Sequence, residues 1–252
     1  MIRDWRSQWF AGTGGLTSPS FPFGFVQLDA VGNFPAYTGR TDATHGDPYS
    51  TEWGYAGVRW AQTAGFGYAP NPRLPGVFMA VSLDTPDGGT KRPHDNGYNV
   101  HSPFKQPAAA RLSRAALVTA YGRTDVQTGP HATSAALHGG TITVSIANVG
   151  AQGVFIRNHA LAPFQNASGF EVLRRSDSVW QSVAIQGHTT NTVSLVHAGG
   201  PKSVSKVRYL WYSDPCGFRS YNCPVYVHAT PLANLSGFHD FLPLAPFILD
   251  LD

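Results

Sequence analysis

The sequence predicts an α/β segment over residues 1–123, followed by an antiparallel, β-sandwich-like β-domain over residues 124–252. Three observations lead there. The first half reads strand, helix, strand; a helix-forming run follows at about 105–121; and from about Thr124 the pattern changes to short runs of alternating apolar and polar residues. The composition agrees, with 42% hydrophobic and 13% charged residues, 27 Gly and 19 Pro. That is a loop-rich globular chain, and it excludes a disordered chain and a helical bundle.

The elements follow in order. "MIRDWRSQWFAG" is an amphipathic piece that lacks the charged-then-apolar pattern of a secretory leader and reads as if it begins mid-element. "FPFGFVQLD" at 21–29 and "VFMAVSL" at 77–83 are short apolar runs between turn residues, the pattern of buried parallel strands. Between them Tyr55–Gly65 predicts a helix ending at glycine, after an inserted Gly/Asn/Pro loop at 32–48. The loop Asp84–Ser102 leads to a helix over about Lys105–Tyr121, with Pro107 in its first turn, Ala109, Leu112, Ala116 and Ala120 on one face, and Gly122 as its stop. The later strands are "TITVSIAN", "GVFIRN", "FEVLRR", "WQSVAIQ", "TVSLVHA" and "SKVRYLWYS". Trp5, Trp60, Phe78 and Trp211 are expected in the core, because aromatic rings dominate core burial.

Charge and cysteines narrow the function. Eighteen Lys and Arg against fifteen Asp and Glu are scattered, so no nucleic-acid stripe is present. No run of about 18 apolar residues exists, so no helical membrane span is expected. Cys216 and Cys223 cannot close a zinc site alone, and no His pair with ligand spacing accompanies them, which points to a local disulfide. The sequons at Asn166 and Asn234 fit the same oxidising compartment.

One histidine stands out by position. His101 sits in a Gly/Asn-rich loop that leaves a strand and enters a helix, where open α/β folds gather catalytic groups. It can serve as a general base with Asp84, Asp87 or Asp95 of the same loop orienting it, as a metal ligand with His94, or as an exposed residue near a helix start. No G-x-S-x-G elbow, P-loop, dinucleotide fingerprint or zincin helix is present to choose among these.

Longer segments do choose. "IRDWRSQW", "FPFGFVQLDA", "VRWAQTAGFGYAPNPRLPGVFMAVSLD", "VHSPFKQPAAARLSRAALVTAYG" and "KVRYLWYSDPCGFRSYNCPVY" together resemble the sialate O-acetylesterase family of SGNH-type esterases, in order and spacing from Ile2 to the C-terminus. The resemblance implies the C-terminal part of a flavodoxin-like SGNH hydrolase domain followed by the β-domain. It also implies removal of O-acetyl groups from sialic acids or another acetylated sugar, with no cofactor, in a lysosomal or secreted protein. His101 matches the family's catalytic histidine and the two cysteines match a cysteine pair. The family's Gly-Gln-Ser-Asn block, which carries the nucleophile, lies in an N-terminal half that this sequence does not contain, and Asn99 stands where bacterial relatives often have Asp. Two rivals follow: an inactive truncated chain acting as a glycan-binding module through Trp180, Tyr209, Trp211 and Tyr212, or a non-functional remnant with an uncovered sheet edge.

Overall fold

The structure is a computed structural model that describes residues 1–30, 54–86, 100–157, 168–200, 202–212, 215–216, 221–230 and 240–251. Its first half is built on two strands, β1 (Phe23–Val26) and β2 (Val77–Ala80), which pair in parallel from Phe23 opposite Val77 to Val26 opposite Ala80. Gly24 makes that pairing possible, because a Cβ there would stand 2.2 Å from the Phe78 ring. Among the described residues three helices accompany the pair: α1 (Ile2–Gly12), α2 (Tyr55–Gln62) and α3 (Lys105–Thr119). The last lies against both strands.

Helix α3 turns a face to the protein that sequence periodicity misassigns. The residues it buries are Pro107, Ala110, Arg111, Arg114 and Ala115, while Ala109 and Ala120 are exposed. Two arginines occupy the inner face because each finds a partner there, and a buried charge is tolerated only when paired. Helix α1 departs likewise. Arg6 is buried and donates to the carbonyls of Phe21, Pro75 and Gly76, whereas Trp5, expected in the core, is 45% exposed and Trp9 is 61% exposed. Trp211 and Phe78 are buried as expected, and Trp60 is half-buried against Trp211.

Among the described residues the second half forms three antiparallel sheets. β3 (His131–His138), β4 (Thr141–Ala147), β9 (Thr192–Val196) and β8 (Ile185–His188) run in the order 3-4-9-8. β13 (Phe247–Asp250), β10 (Val204–Tyr209), β6 (Phe170–Arg174) and β7 (Trp180–Val183) run 13-10-6-7, and β12 (Phe241–Pro243), β11 (Val225–His228) and β5 (Val154–Ile156) run 12-11-5. The alternation read in "TITVSIAN" is real: Ile142, Val144 and Ile146 are buried and the residues between them are not. "WQSVAIQ" divides at Ala184 into strands of two different sheets. The three sheets share one apolar core, and Val81 and Leu83, just beyond β2, belong to it. Tyr209, Trp211 and Tyr212, offered as glycan contacts, lie in the interior, and Trp180 is occupied by the Arg208 guanidinium 4.1 Å from its ring centre.

Cys216 and Cys223 are joined by a disulfide, and both are buried. Asn166 and Asn234 lie outside the described residues, as do Asp87, His94, Asp95 and Asn99. No helix among the described residues is long and apolar enough to cross a membrane.

Candidate active site

Parallel strands run side by side with their carboxyl ends together, and the segments that leave those ends are where such sheets hold chemistry. Here they are Gln27–Ala30 after β1, Val81–Pro86 after β2, and the loop that returns to α3 through His101. His101 is exposed. The next residue, Ser102, is buried, and its Oγ accepts the backbone N–H of Phe104 at 3.0 Å, a local turn that sets where the chain enters α3.

The carboxyl end of β1 is fixed by α2. The Arg59 guanidinium, 1% exposed, donates from Nε to the carbonyl of Leu28 at 2.8 Å, from Nη2 to that of Asp29 at 2.8 Å and from Nη1 to that of Tyr212 at 2.6 Å. Gln62 Oε1 accepts the N–H of Leu28 at 2.9 Å. These residues hold backbone, so their contribution is to keep the sheet edge rigid.

The carboxyl end of β2 is fixed by an ion pair. Asp84 is fully buried; its Oδ1 lies 2.5 Å from Arg111 Nη1, its Oδ2 lies 2.8 Å from Arg111 Nη2, and the Tyr226 hydroxyl donates to Oδ2 at 3.1 Å. Its backbone carbonyl accepts from Tyr221 N–H, and Arg111 also reaches the carbonyls of Val81 and Phe241. Both oxygens of this carboxylate are therefore engaged in binding α3 to β11. Burial alone would depress the basicity of Arg111, but the facing carboxylate overcomes it and raises the pKa, keeping the guanidinium charged. Of the aspartates expected to orient His101, this is the one the described residues contain.

A further carboxyl at this edge went unnoticed in the sequence. Asp29 is buried at the end of β1, and burial pushes its pKa up to about 8. The Ala30 N–H, 2.7 Å from Oδ1, pulls the other way, nearby Asp84 adds to the rise, and Arg59 and Lys105 offset part of it. At neutral pH this group is mostly a neutral acid, able to donate a hydrogen bond. The signal was its place, an Asp three residues beyond a parallel strand that, unlike the buried strand expected, is only half-buried. No group of three His, Cys, Asp or Glu among the described residues is arranged to hold a metal ion.

Residues 142–251 match the family described as the sialate O-acetylesterase C-terminal domain. The chain is 30% identical over 255 residues to a sialate O-acetylesterase from Mus musculus, covering 100% of this chain and 40% of that protein. It is 29% identical over 252 residues to the one from Homo sapiens, with 98% of this chain and 40% of that protein covered. Its fold matches the crystal structure of a carbohydrate acetylesterase from Xanthomonas citri with a TM-score of 0.61, at 21% identity, over 99% of this chain and 45% of that one. The chain thus spans about two fifths of the length of the curated relatives it matches.

Proposed function

Along its whole length the chain resembles the C-terminal portion of sialate O-acetylesterases, and from that premise we propose that residues 1–123 are the closing part of a flavodoxin-like, SGNH-type esterase domain and that His101 is its general base. The substrate is an O-acetylated sialic acid or another acetylated sugar. The observation that carries this reading is an exposed histidine at the carboxyl edge of a parallel strand pair, in a chain whose relatives are acetylesterases by name.

In the completed site a serine from outside this chain attacks the acetyl carbonyl while His101 takes its proton. The oxyanion collapses, the C–O bond to the sugar breaks, and His101 returns the proton to the departing sugar oxygen. Water, deprotonated by His101, then attacks the acetyl-serine; its C–O bond breaks, the serine oxygen takes the proton back from His101, and acetate is released. The route needs base, nucleophile and oxyanion donors, and calls on no cofactor. The acid that orients His101 is drawn from Asp84, Asp87 and Asp95; because both oxygens of Asp84 already serve Arg111 and Tyr226, Asp87 and Asp95 are favoured.

The nucleophile comes with further polypeptide added beside β1. In support, β1 pairs only with β2 among the described residues, and α1 presents Trp5, Trp9 and Phe10 outward. Parallel sheets stand covered on both faces, so a lone parallel pair with exposed aromatics is the expected look of a partial sheet. The compartment is lysosomal or secreted, with Asn166 and Asn234 as glycan acceptors. The test joins this chain to the preceding portion of the mouse relative and measures acetate release from O-acetylated sialic acid. Release that is abolished by His101→Ala supports the proposal; release that survives His101→Ala rejects it.

A further inference from the structure

The carboxyl ends of β1 and β2 are both held by residues that follow β10 in the β-domain. Beyond β1, the Tyr212 carbonyl accepts from Arg59 Nη1 at 2.6 Å, and the same guanidinium holds the carbonyls of Leu28 and Asp29. Beyond β2, Tyr221 donates its N–H to the Asp84 carbonyl at 2.6 Å, and the Tyr226 hydroxyl donates to Asp84 Oδ2 at 3.1 Å. The Arg111 guanidinium that pairs with Asp84 lies 5.9 Å from the centre of the Tyr221 ring.

The disulfide closes these contacts into one unit. Cys216 and Cys223 are bonded and buried, and Asn222 Nδ2 donates to the Cys216 carbonyl at 3.0 Å. The Cys223 N–H donates at 3.0 Å to the Tyr226 hydroxyl, the same oxygen whose proton goes to Asp84. A cross-linked loop has fewer open arrangements, so the groups it carries stay in place. Tyr221 has a φ of +59°, left-handed backbone that a non-glycine residue keeps only where its surroundings hold it.

Holding Asp84 fixes more than the end of β2. Its partner Arg111 belongs to α3, which begins at Lys105 shortly after His101. One cluster therefore sets both the point where the chain leaves β2 and the helix to which it returns through His101. We infer that Tyr212, Tyr221, Tyr226 and the Cys216–Cys223 bond form a clamp on the carboxyl edge of the parallel pair, with Tyr226 a positioning residue for His101 that acts through Asp84 and Arg111. For catalysis the inference rests on the reading of His101 as general base.

The test is hydrogen–deuterium exchange of the full chain, comparing the parent with Tyr226→Phe and with the double variant Cys216→Ala/Cys223→Ala. The expected result is exchange about tenfold or more faster at residues 81–86 and 100–105, with β4 exchanging as in the parent. If the double variant does not fold, as judged by thermal melting, Tyr226→Phe decides alone. A second readout follows the side chain itself: the His101 ring signal in the NMR spectrum, assigned with His101→Ala, should shift in Tyr226→Phe while that of the exposed His188 does not. The inference is overturned if a folded variant leaves exchange at the edge unchanged, if β4 speeds up as much as the edge, or if the His101 signal stays in place. Neither readout needs activity, so the clamp and the esterase reading fail separately.

Discussion

The two halves of this chain differ in how completely they close on themselves. In the β-sheets, the inward residues of β4, β9 and β10 meet those of the other sheets, and the buried Arg208 finds Glu171 at 2.7 Å. In the α/β half, a pair of four-residue strands carries three helices, and large apolar side chains of α1 point outward, with Leu16 just beyond it 91% exposed. The proposed function reads that contrast as the place for further polypeptide: among the described residues, the first half presents an apolar helix face and a strand edge that a larger sheet would cover.

The Asp84–Arg111–Tyr226 cluster is one link between the halves, beside Val81 and Leu83 in the shared core, Arg59 at the Tyr212 carbonyl and Arg114 at Asp240. Breaking it should have the largest effect. Asp84→Ala leaves Arg111 buried without its counter-charge and is expected to cost about 3–5 kcal/mol in denaturant unfolding. A loss under about 1 kcal/mol would mean that this ion pair does little to hold the halves together.

The next effect depends on pH and belongs to the open edge. The folded pKa of Asp29, about 8, lies above the 3.8 expected of an unperturbed Asp, so the folded chain keeps a proton that the unfolded chain gives up. Its contribution is full below about pH 4 and is lost as pH rises through 8, at up to about 1.4 kcal/mol per pH unit. Asp29→Asn should therefore flatten the decline in stability between pH 5 and 8. Parallel pH profiles for parent and variant would show that this carboxyl is not buried as described.

The smallest effect is expected on α1. Trp9→Ser should change unfolding by less than about 0.5 kcal/mol, because an exposed ring stabilises little, while it improves solubility. A loss of about 3 kcal/mol or more, as for a core aromatic, would place Trp9 inside and close the half described as open.

Much of this fold was legible from local pattern. The parallel strands, α2, α3 and β4 answer to apolar runs, caps and alternation, which depend on nearest neighbours. The inner face of α3 was not legible, because Arg111 and Arg114 are admitted there by Asp84, Phe241 and Asp240, the last two more than 100 residues away. β11, β12 and β13 are three or four residues long, and β11 and β12 are buried on both faces or nearly so, which leaves too little periodicity to read. Trp5 was misplaced because an aromatic ring signals burial without saying whether the covering element is at hand. At the site, the position of His101 was read from its loop, whereas the high pKa of Asp29 follows from burial that only the folded chain reveals.

The most direct test of the central claim is acetate release from O-acetylated sialic acid by this chain joined to the preceding portion of the mouse relative, with and without His101→Ala. The account predicts hydrolysis that the substitution reduces by about 10³-fold or more while the melting temperature is unchanged. Hydrolysis unchanged by His101→Ala would contradict it.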